Sequence, residues 1–304
     1  MKHFLRNLLN KYGYDIVKIN MHSADKASKL HDVKVGKFNI LMPGNNPQIS
    51  NYKYQPDLNN QLARLTKLIH TKYPDLTVID VGANVGDTIA VIKSAINIPI
   101  IAIEGDEVSF SFLQKNIQQF ESIIPIKQFL GESEEKISVE FDKSGWNTTL
   151  IPQNNGANQL SLKTLDNVLE ANNLNSKQLK LLKIDIEGFD TIVLRGAEKM
   201  ISKNKPVLYF EYNTTNMNAI KEDGLSTLLA LEKYGYIDVI FFDAKNRYMI
   251  TCPLALTELI TQLHFYVHEE KSQVPYYDLC LFHSEDLDLQ VSFTDKEFAA
   301  NKIY

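Results

Sequence analysis

The sequence predicts an α/β fold with a mostly parallel, doubly wound sheet, preceded by an N-terminal extension. Short runs of Val, Ile and Leu alternate along the chain with segments of helical periodicity. Strands that are buried on both faces read as such continuous apolar runs, and their alternation with helices is typical of a parallel sheet. Several runs end in a glycine or an acidic residue. Polar groups are therefore expected at the carboxyl ends of the strands, where sheets of this kind bind ligands.

The first part of the chain has a different character from the rest. We expect residues 1–57 to form an extension or cap, with strands at Asp15–Ile19 and Lys37–Met42 and a turn-rich bridge from Pro43 to Pro56. A chain of 304 residues can bury one large core, and α/β folds of this size often remain a single domain. We therefore assign residues 58–304 to one catalytic domain.

From residue 58 onward, amphipathic segments alternate with apolar runs. The predicted helices are Leu58–His70, Thr88–Ala95, Val108–Phe120, Thr191–Ser202, Leu225–Tyr234 and Leu254–His268. The predicted strands are Leu76–Val81, Ile98–Ile103, Ile123–Leu130, Leu179–Ile186, Lys205–Tyr212, Ile237–Phe242 and Tyr277–Phe282.

Charge and composition narrow the classes of partner. The formal net charge is -5 and the basic residues are spread along the chain, which argues against nucleic-acid binding. No run approaches the roughly 20 apolar residues of a membrane span, and the N-terminal apolar run is too short and interrupted for a signal sequence. Cys252 and Cys280 lie in apolar stretches and are expected to pack in the core of a protein from a reducing compartment. A cytoplasmic location is the resulting expectation, and the sequence leaves the oligomeric state open.

The first predicted strand of the sheet ends in a glycine loop that reads Asp80-Val-Gly82-Ala-Asn84-Val-Gly86. The two glycines allow a tight turn and a close approach of the backbone to a ligand. Glu104 ends the next strand, at about the 20-residue spacing where an acid commonly accepts hydrogen bonds from ribose hydroxyls. The pair of strand ends predicts a nucleoside-binding site.

The residues of this loop favour S-adenosylmethionine over a nicotinamide dinucleotide. A dinucleotide site would have G-x-G-x-x-G here, but Asn84 and Asp87 stand where the second and third glycines belong. A pyrophosphate would also be repelled by Asp80 and Asp87. S-adenosylmethionine has a sulfonium, an ammonium and one carboxylate, so nearby acids suit it better.

Two further strand ends are acidic. Asp185 and Glu187 follow one strand two residues apart, which places them on the same side of an extended chain, and Glu211 and Asn213 repeat this spacing after the next strand. These groups would face the reacting part of the ligand. The alternative for each is helix capping or a solvated loop.

Between Val78 and Asn213 the chain resembles the FkbM-type methyltransferases. Three blocks carry the resemblance: Ile79-Asp80-Val81-Gly82-Ala83-Asn84-Val85-Gly86; Leu182-Lys183-Ile184-Asp185-Ile186-Glu187-Gly188 with Leu194-Arg195-Gly196-Ala197-Glu198; and Lys205-Pro206-Val207. The sequence departs from the family at Gly105, where the family usually has proline.

The resemblance implies a class I methyltransferase fold, Rossmann-like in its sheet, and O-methylation of sugars or natural products. By position, Asp80, Gly82, Asn84, Gly86 and Glu104 would hold the donor. Glu132 lies where such folds often contact the adenine edge.

The residues also suggest a mechanism. Asp185 is the candidate general base or orienting group for the acceptor hydroxyl, and Glu187 would share that task or fix Lys183 and the loop. A rival mechanism uses Asp185, Glu211 and Asn213 as ligands of a divalent cation. A different class of function is a non-catalytic donor-binding partner of a glycan or natural-product synthesis enzyme.

We expect a small-molecule or sugar acceptor to bind between the N-terminal sixty residues and the segment Asn213–Tyr248. The second segment is rich in aromatic residues, whose faces suit sugars. These residues are Tyr234, Tyr236, Phe241, Phe242 and Tyr248, and we expect some of their rings to belong to the core.

Overall fold

An eight-stranded sheet forms the centre of the fold. The computed structural model describes residues 29–142, 149–152, 158–268 and 274–301, so the strand predicted at Asp15–Ile19 lies outside the described residues. In chain order the strands of this sheet are β3 (Leu76–Val81), β4 (Ile100–Glu104), β5 (Ile123–Lys127), β10 (Gln178–Ile184), β11 (Val207–Tyr212), β12 (Tyr236–Asp243), β13 (Tyr248–Pro253) and β14 (Tyr277–His283).

The strand order is β5-β4-β3-β10-β11-β14-β12-β13. The strands from β5 to β11 are parallel to one another, and β14 is antiparallel to both β11 and β12. The chain builds outward from β3 to β5 and then outward from β10 on the other side, so the order reverses between β3 and β10. This confirms the predicted doubly wound, mostly parallel sheet.

Helices cover both faces of this sheet, as buried apolar strands require. One face packs against α2 (Asn60–Lys72), α3 (Asp87–Ala95), α4 (Glu107–Asn116) and α11 (Leu287–Asn301). The other face packs against α5 (Leu165–Ala171), α6 (Asp190–Arg195), α7 (Glu198–Asn204), α8 (Thr214–Ala219), α9 (Gly224–Ala230) and α10 (Thr257–His268). The protein therefore has a three-layer architecture with the core on both sides of the sheet.

The N-terminal extension packs directly on the sheet's helical layer. A hairpin of β1 (Leu30–Val35) and β2 (Phe38–Pro43) is followed by α1 (Gln48–Tyr54), which occupies part of the predicted bridge. Val35, Ile40 and Met42 are fully buried in a cluster with residues of α3 and α4. The extension thus shares a hydrophobic core with the helix that follows the glycine loop.

A second, four-stranded sheet lies beside the end of β5. Its strands are β6 (Phe129–Leu130), β7 (Glu135–Asp142), β8 (Thr149–Pro152) and β9 (Asn158–Lys163), in the order β6-β9-β7-β8. The single strand predicted over Ile123–Leu130 is therefore two strands in two sheets. Gln128 separates them, and its N–H donates to the carbonyl of Glu104 at 3.2 Å.

One predicted helix also divides in two. The segment expected as Thr191–Ser202 forms α6 and α7, separated at Gly196. A side chain at this glycine would overlap the backbone of Gly131, which the small sheet brings close.

Among the described residues, no helix combines the length and the apolar character that a membrane crossing needs.

Candidate active site

A pocket opens at the carboxyl ends of β3, β4 and β10, beside the point where the strand order reverses. Five residues predicted for the site line it, together with several that were not predicted. The predicted ones are Gly82, Asn84, Glu104, Asp185 and Glu187, and the others include Gln48, Asn59, Asp106, Gln128, Phe129 and Lys183. This is the position at which open α/β sheets bind their ligands.

The glycine loop follows β3, and three of its residues, each two positions from the next, have a positive φ. Gly82, Asn84 and Gly86 have φ of 73°, 48° and 89°. A Cβ at Gly82 would overlap the carbonyl oxygen of Asp185. Because only glycine avoids both the steric overlap and the backbone strain there, Gly82 lets β3 and β10 approach at the floor of the pocket.

Glu104 joins the two walls of the pocket. One of its carboxylate oxygens accepts a hydrogen bond from the N–H of Asn84, and the other accepts one from the N–H of Asp106, both at 2.8 Å. Burial raises the pKa of Glu104 to about 7, although both backbone N–H groups oppose that rise. The acid predicted for the ribose thus also fixes the glycine loop.

Asp80 lies beneath the loop and does not line the pocket. Its carboxyl is fully buried, and the ammonium of Lys183 lies 3.0 Å from its Oδ1 atom. Burial raises the pKa of Asp80, and the positive charge of Lys183 limits this rise. The structure therefore places Asp80 against a lysine from the neighbouring strand, where the sequence had suggested a direct donor contact.

Asp185 and Glu187 lie together where β10 ends, as predicted. The side chain of Asp185 is 50% exposed and its Oδ2 lies 3.6 Å from the ammonium of Lys183. Glu187 has a φ of 54°, and its carboxylate accepts a hydrogen bond from the side-chain amide of Asn216 at 2.7 Å. Burial, and then the charge of Asp185, raise the pKa of Glu187 to about 7.

Two more carboxyl groups lie on the neighbouring strands, on the same side of the sheet as Asp185 and Glu187, and the four together form an acidic edge. Glu211 and Asp278 are direct partners in the antiparallel pairing of β11 with β14. Burial and the nearby Asp185 charge raise the pKa of both, that of Asp278 to about 8. Asp278 was not predicted, because its approach to Glu211 depends on the antiparallel insertion of β14.

Two of the three residues that the rival mechanism uses as ligands of a divalent cation, Glu211 and Asn213, have hydrogen-bond partners within the protein. Asn213 caps α8 by accepting from the N–H of Asn216 at 3.2 Å, and its amide donates to Glu211 at 3.2 Å. Within the described ranges, no group of three or more His, Cys, Asp or Glu side chains is arranged to hold a metal ion. The side chains of Glu211 and Asn213 instead bond to each other.

The structure places Glu132, which was predicted for the adenine edge, outside the pocket. Its carboxylate pairs with Arg195, which also binds Glu222. Phe129 lines the pocket in its place, and its ring occupies the space that a side chain at residue 105 would need. The departure at Gly105, noted in the sequence, was the available signal for this contact.

The aromatic residues proposed for the acceptor belong mainly to the core. Tyr236, Phe241 and Phe242 are buried to 1% exposure or less, because β12 is an interior strand. The hydroxyl of Tyr234 donates to Glu198 on the outer surface of α7. The three buried rings are therefore among those that belong to the core, and they do not form a sugar-binding face.

The N-terminal extension reaches the pocket through α1 and the turn after it. Gln48 in the extension lines the pocket, and so does Asn59, just after the extension ends. The buried hydroxyl of Tyr52 donates to the carboxylate of Asp87 at 3.0 Å, directly after the glycine loop. The extension thus contacts the segment expected to hold the donor.

Comparison with known proteins identifies a family. Residues 80–237, just over half of the chain, match the methyltransferase FkbM domain. No curated protein matches the chain.

Among solved structures, an FkbM methyltransferase from Methylobacillus flagellatus KT is 19% identical with a TM-score of 0.35; the match covers 50% of this chain and 37% of that one. A precorrin-6y C5,15-methyltransferase from Geobacter metallireducens GS-15 is 12% identical with a TM-score of 0.35, over 69% of this chain and 81% of that one. The plantazolicin methyltransferase BamL, solved with a triazolic desmethylPZN analog and SAH, is 10% identical with a TM-score of 0.39, over 78% and 91%.

Proposed function

The chain belongs to the FkbM methyltransferase family, and from this premise we propose that it uses S-adenosylmethionine to methylate a hydroxyl of a sugar, a polysaccharide precursor or a natural product. The observation that carries the proposal is the meeting of the glycine loop and Glu104 at one pocket. Its open edge is acidic, which suits a donor that carries a sulfonium and an ammonium.

The residues present fit this donor. Gly82 and Asn84, which line the pocket, would hold it by close backbone approach. Gly86 does not line the pocket and would act through the turn into α3. Glu104 keeps lone pairs that can accept from ribose hydroxyls after its two backbone bonds. Phe129 offers an apolar ring for the base. When bound, S-adenosylmethionine supplies a methyl group on a positively charged sulfur.

Asp185 is the proposed general base or orienting group. Its half-exposed carboxylate lines the pocket at the end of β10, where it can accept the proton of an acceptor hydroxyl. Glu187 would share this task, since it lines the same wall. The acceptor would enter along the edge of Asp185, Glu211 and Asp278, whose oxygens can bind the hydroxyls of a polyol.

Residues 58–304 would form the methyltransferase domain in this proposal, with residues 1–57 as the extension. The extension would contribute Gln48 beside the donor and bury its hairpin against α3. A cytoplasmic location and the absence of a nucleic-acid partner stay predictions from composition.

Calorimetry with S-adenosylmethionine and, as the control ligand, NAD⁺ tests the donor. We expect S-adenosylmethionine to bind and NAD⁺ not to bind; the reverse result would overturn the proposal. Measurement of turnover distinguishes an enzyme from the alternative, a non-catalytic donor-binding partner. Formation of S-adenosylhomocysteine dependent on a monosaccharide or nucleotide-sugar acceptor supports the enzyme, whereas donor binding without turnover across such a panel supports the binding module.

A further inference from the structure

Lys183 is a buried cation in the wall of the pocket. Its side chain is only 6% exposed, and a lysine ammonium out of water requires compensation by charges and hydrogen bonds. Burial alone would lower the pKa of Lys183, but the charges of Asp80, Asp185 and Asp87 outweigh burial and raise it. The lysine is therefore held as a cation at the centre of the site.

The ammonium makes three contacts that join different parts of the pocket. It lies 3.0 Å from Oδ1 of Asp80 beneath the loop and 3.6 Å from Oδ2 of Asp185 at the open edge. It also donates to the carbonyl oxygen of Gly82 at 3.3 Å. One cation thus connects a buried anion, the first turn of the glycine loop and the half-exposed acid that faces the acceptor.

We propose that Lys183 is a positioning residue for the methyl-donor site, with Asp80 as its anchor. Asp80 fixes the ammonium, which in turn fixes the Gly82 carbonyl and the side chain of Asp185. This inference rests on the proposed use of S-adenosylmethionine. It assigns Asp80 an indirect part in donor binding, in agreement with its position outside the pocket lining.

A purely structural role and a positioning role differ in a measurable way. If Lys183 only neutralises Asp80, removing both charges together should restore the fold and the site alike. If it positions the loop and Asp185, removing both should restore the fold and leave donor binding impaired. The double change keeps the net charge of the site constant, so a change in affinity cannot be assigned to long-range attraction of the sulfonium.

The test compares Lys183→Met with the double variant Asp80→Asn/Lys183→Met in the full chain. Thermal melts report the fold, and calorimetry with S-adenosylmethionine reports the site. Lys183→Met should melt several degrees lower, because a buried carboxylate loses its partner. The double variant should regain most of the melting temperature and bind S-adenosylmethionine about tenfold more weakly than the wild type.

Lys180→Met is the matched control, since Lys180 lies on the same strand and donates to the carbonyl of Asn204, away from the pocket. It should bind the donor like the wild type. If Asp80→Asn/Lys183→Met does not fold, Asp80→Leu/Lys183→Met replaces the pair by apolar groups and carries the same expectation. Wild-type affinity in either folded double variant would overturn the inference. Failure of the wild type to bind S-adenosylmethionine would instead reject the proposed function, and the inference with it.

Discussion

The carboxylate of Glu104 accepts a hydrogen bond at 2.8 Å from the backbone N–H of Asn84, so the acid that ends β4 holds the loop that follows β3. Asn84 lies at a φ of 48° between two glycines, in a conformation that a non-glycine residue rarely adopts without support. The second oxygen of Glu104 binds the N–H of Asp106, at the start of α4. One side chain therefore sets the shape of two adjacent loops and has lone pairs left for a ligand.

Glu104→Ala should weaken binding of S-adenosylmethionine by about 1 to 3 kcal/mol, through loss of the ribose contacts and of the support to Asn84. Calorimetry on the folded variant measures this directly. Glu107→Ala is a suitable control, because Glu107 is an exposed acid at the start of α4. Its carboxylate pairs with Lys127. Unchanged donor affinity in Glu104→Ala would remove Glu104 from the donor site.

The raised pKa values of the site predict that the ligand-free protein is more stable in mild acid than at alkaline pH. Burial raises the pKa of Glu104 and Glu187 to about 7 and that of Asp87 to about 6, from ordinary values near 4. At a pH between the ordinary and the raised pKa of each group, the folded chain keeps a proton that the unfolded chain releases. Each group's contribution is therefore complete at low pH and is lost as the pH rises through its folded value.

The melting temperature without ligand should fall between about pH 4.5 and about pH 7.5, since this window runs from the ordinary carboxyl pKa values to the raised ones. The slope should be smaller in Glu104→Gln, which removes one titrating group and keeps the shape of the side chain. A melting temperature that rises with pH across this window would show that the acids are ionised in the folded protein.

Asp185→Asn should preserve the fold and donor binding and lower turnover by roughly 10² if Asp185 is the general base. Because the side chain is 50% exposed, its replacement should change the melting temperature by only about 1 °C. The rate of S-adenosylhomocysteine formation with an identified acceptor is the measurement. Glu258→Gln, an exposed change on α10, serves as the control. Equal rates for the two variants would exclude a role for Asp185 in the chemistry.

The parallel strands could be predicted because each is a continuous apolar run, and β3 was placed with the observed bounds. Other elements have no such signal. The strands of the small sheet are partly polar, and α11 exposes Leu287 and Val291 while it buries Leu289 and Phe293. No single apolar stripe marks that helix in the sequence, since its apolar residues lie on several sides.

The same distinction holds for the site. Gly82, Glu104 and Asp185 were found because each ends a strand, and the fold brings strand ends together. The contacts of Lys183 with Asp80 and of Tyr52 with Asp87 join residues that are far apart in sequence. Such contacts depend on which strands and helices become neighbours, and this is decided by tertiary packing.

Gly105→Ala should weaken donor binding by displacing the ring of Phe129. A methyl group at residue 105 would overlap that ring, which lines the pocket. If the ring contacts the base of the donor, the loss should be about 1 kcal/mol. In a Phe129→Ala background the same glycine change should have little further effect on affinity. Additive losses in the double variant would show that Gly105 acts independently of Phe129.

Tyr52→Phe should destabilise the protein and thereby show that the N-terminal extension is part of the folded domain. The Tyr52 hydroxyl is buried and donates to Asp87, itself buried at the start of α3. Removing this donor leaves a buried carboxyl with one partner fewer, which costs about 1 to 3 kcal/mol of unfolding free energy. Denaturant unfolding with a two-state fit measures the difference.

Tyr54→Phe is the matched control for this change, because Tyr54 lies on the same helix and is 81% exposed. Its hydroxyl can bind water in both the folded and the unfolded chain, so its removal should alter the unfolding free energy by less than about 0.5 kcal/mol. The loss of the hydroxyl in Tyr52→Phe should also raise the pKa of Asp87, since the hydrogen bond from Tyr52 lowers that pKa. Equal stability of the two variants would mean that α1 contacts the glycine-loop helix without stabilising it, and the extension would then be a peripheral cap.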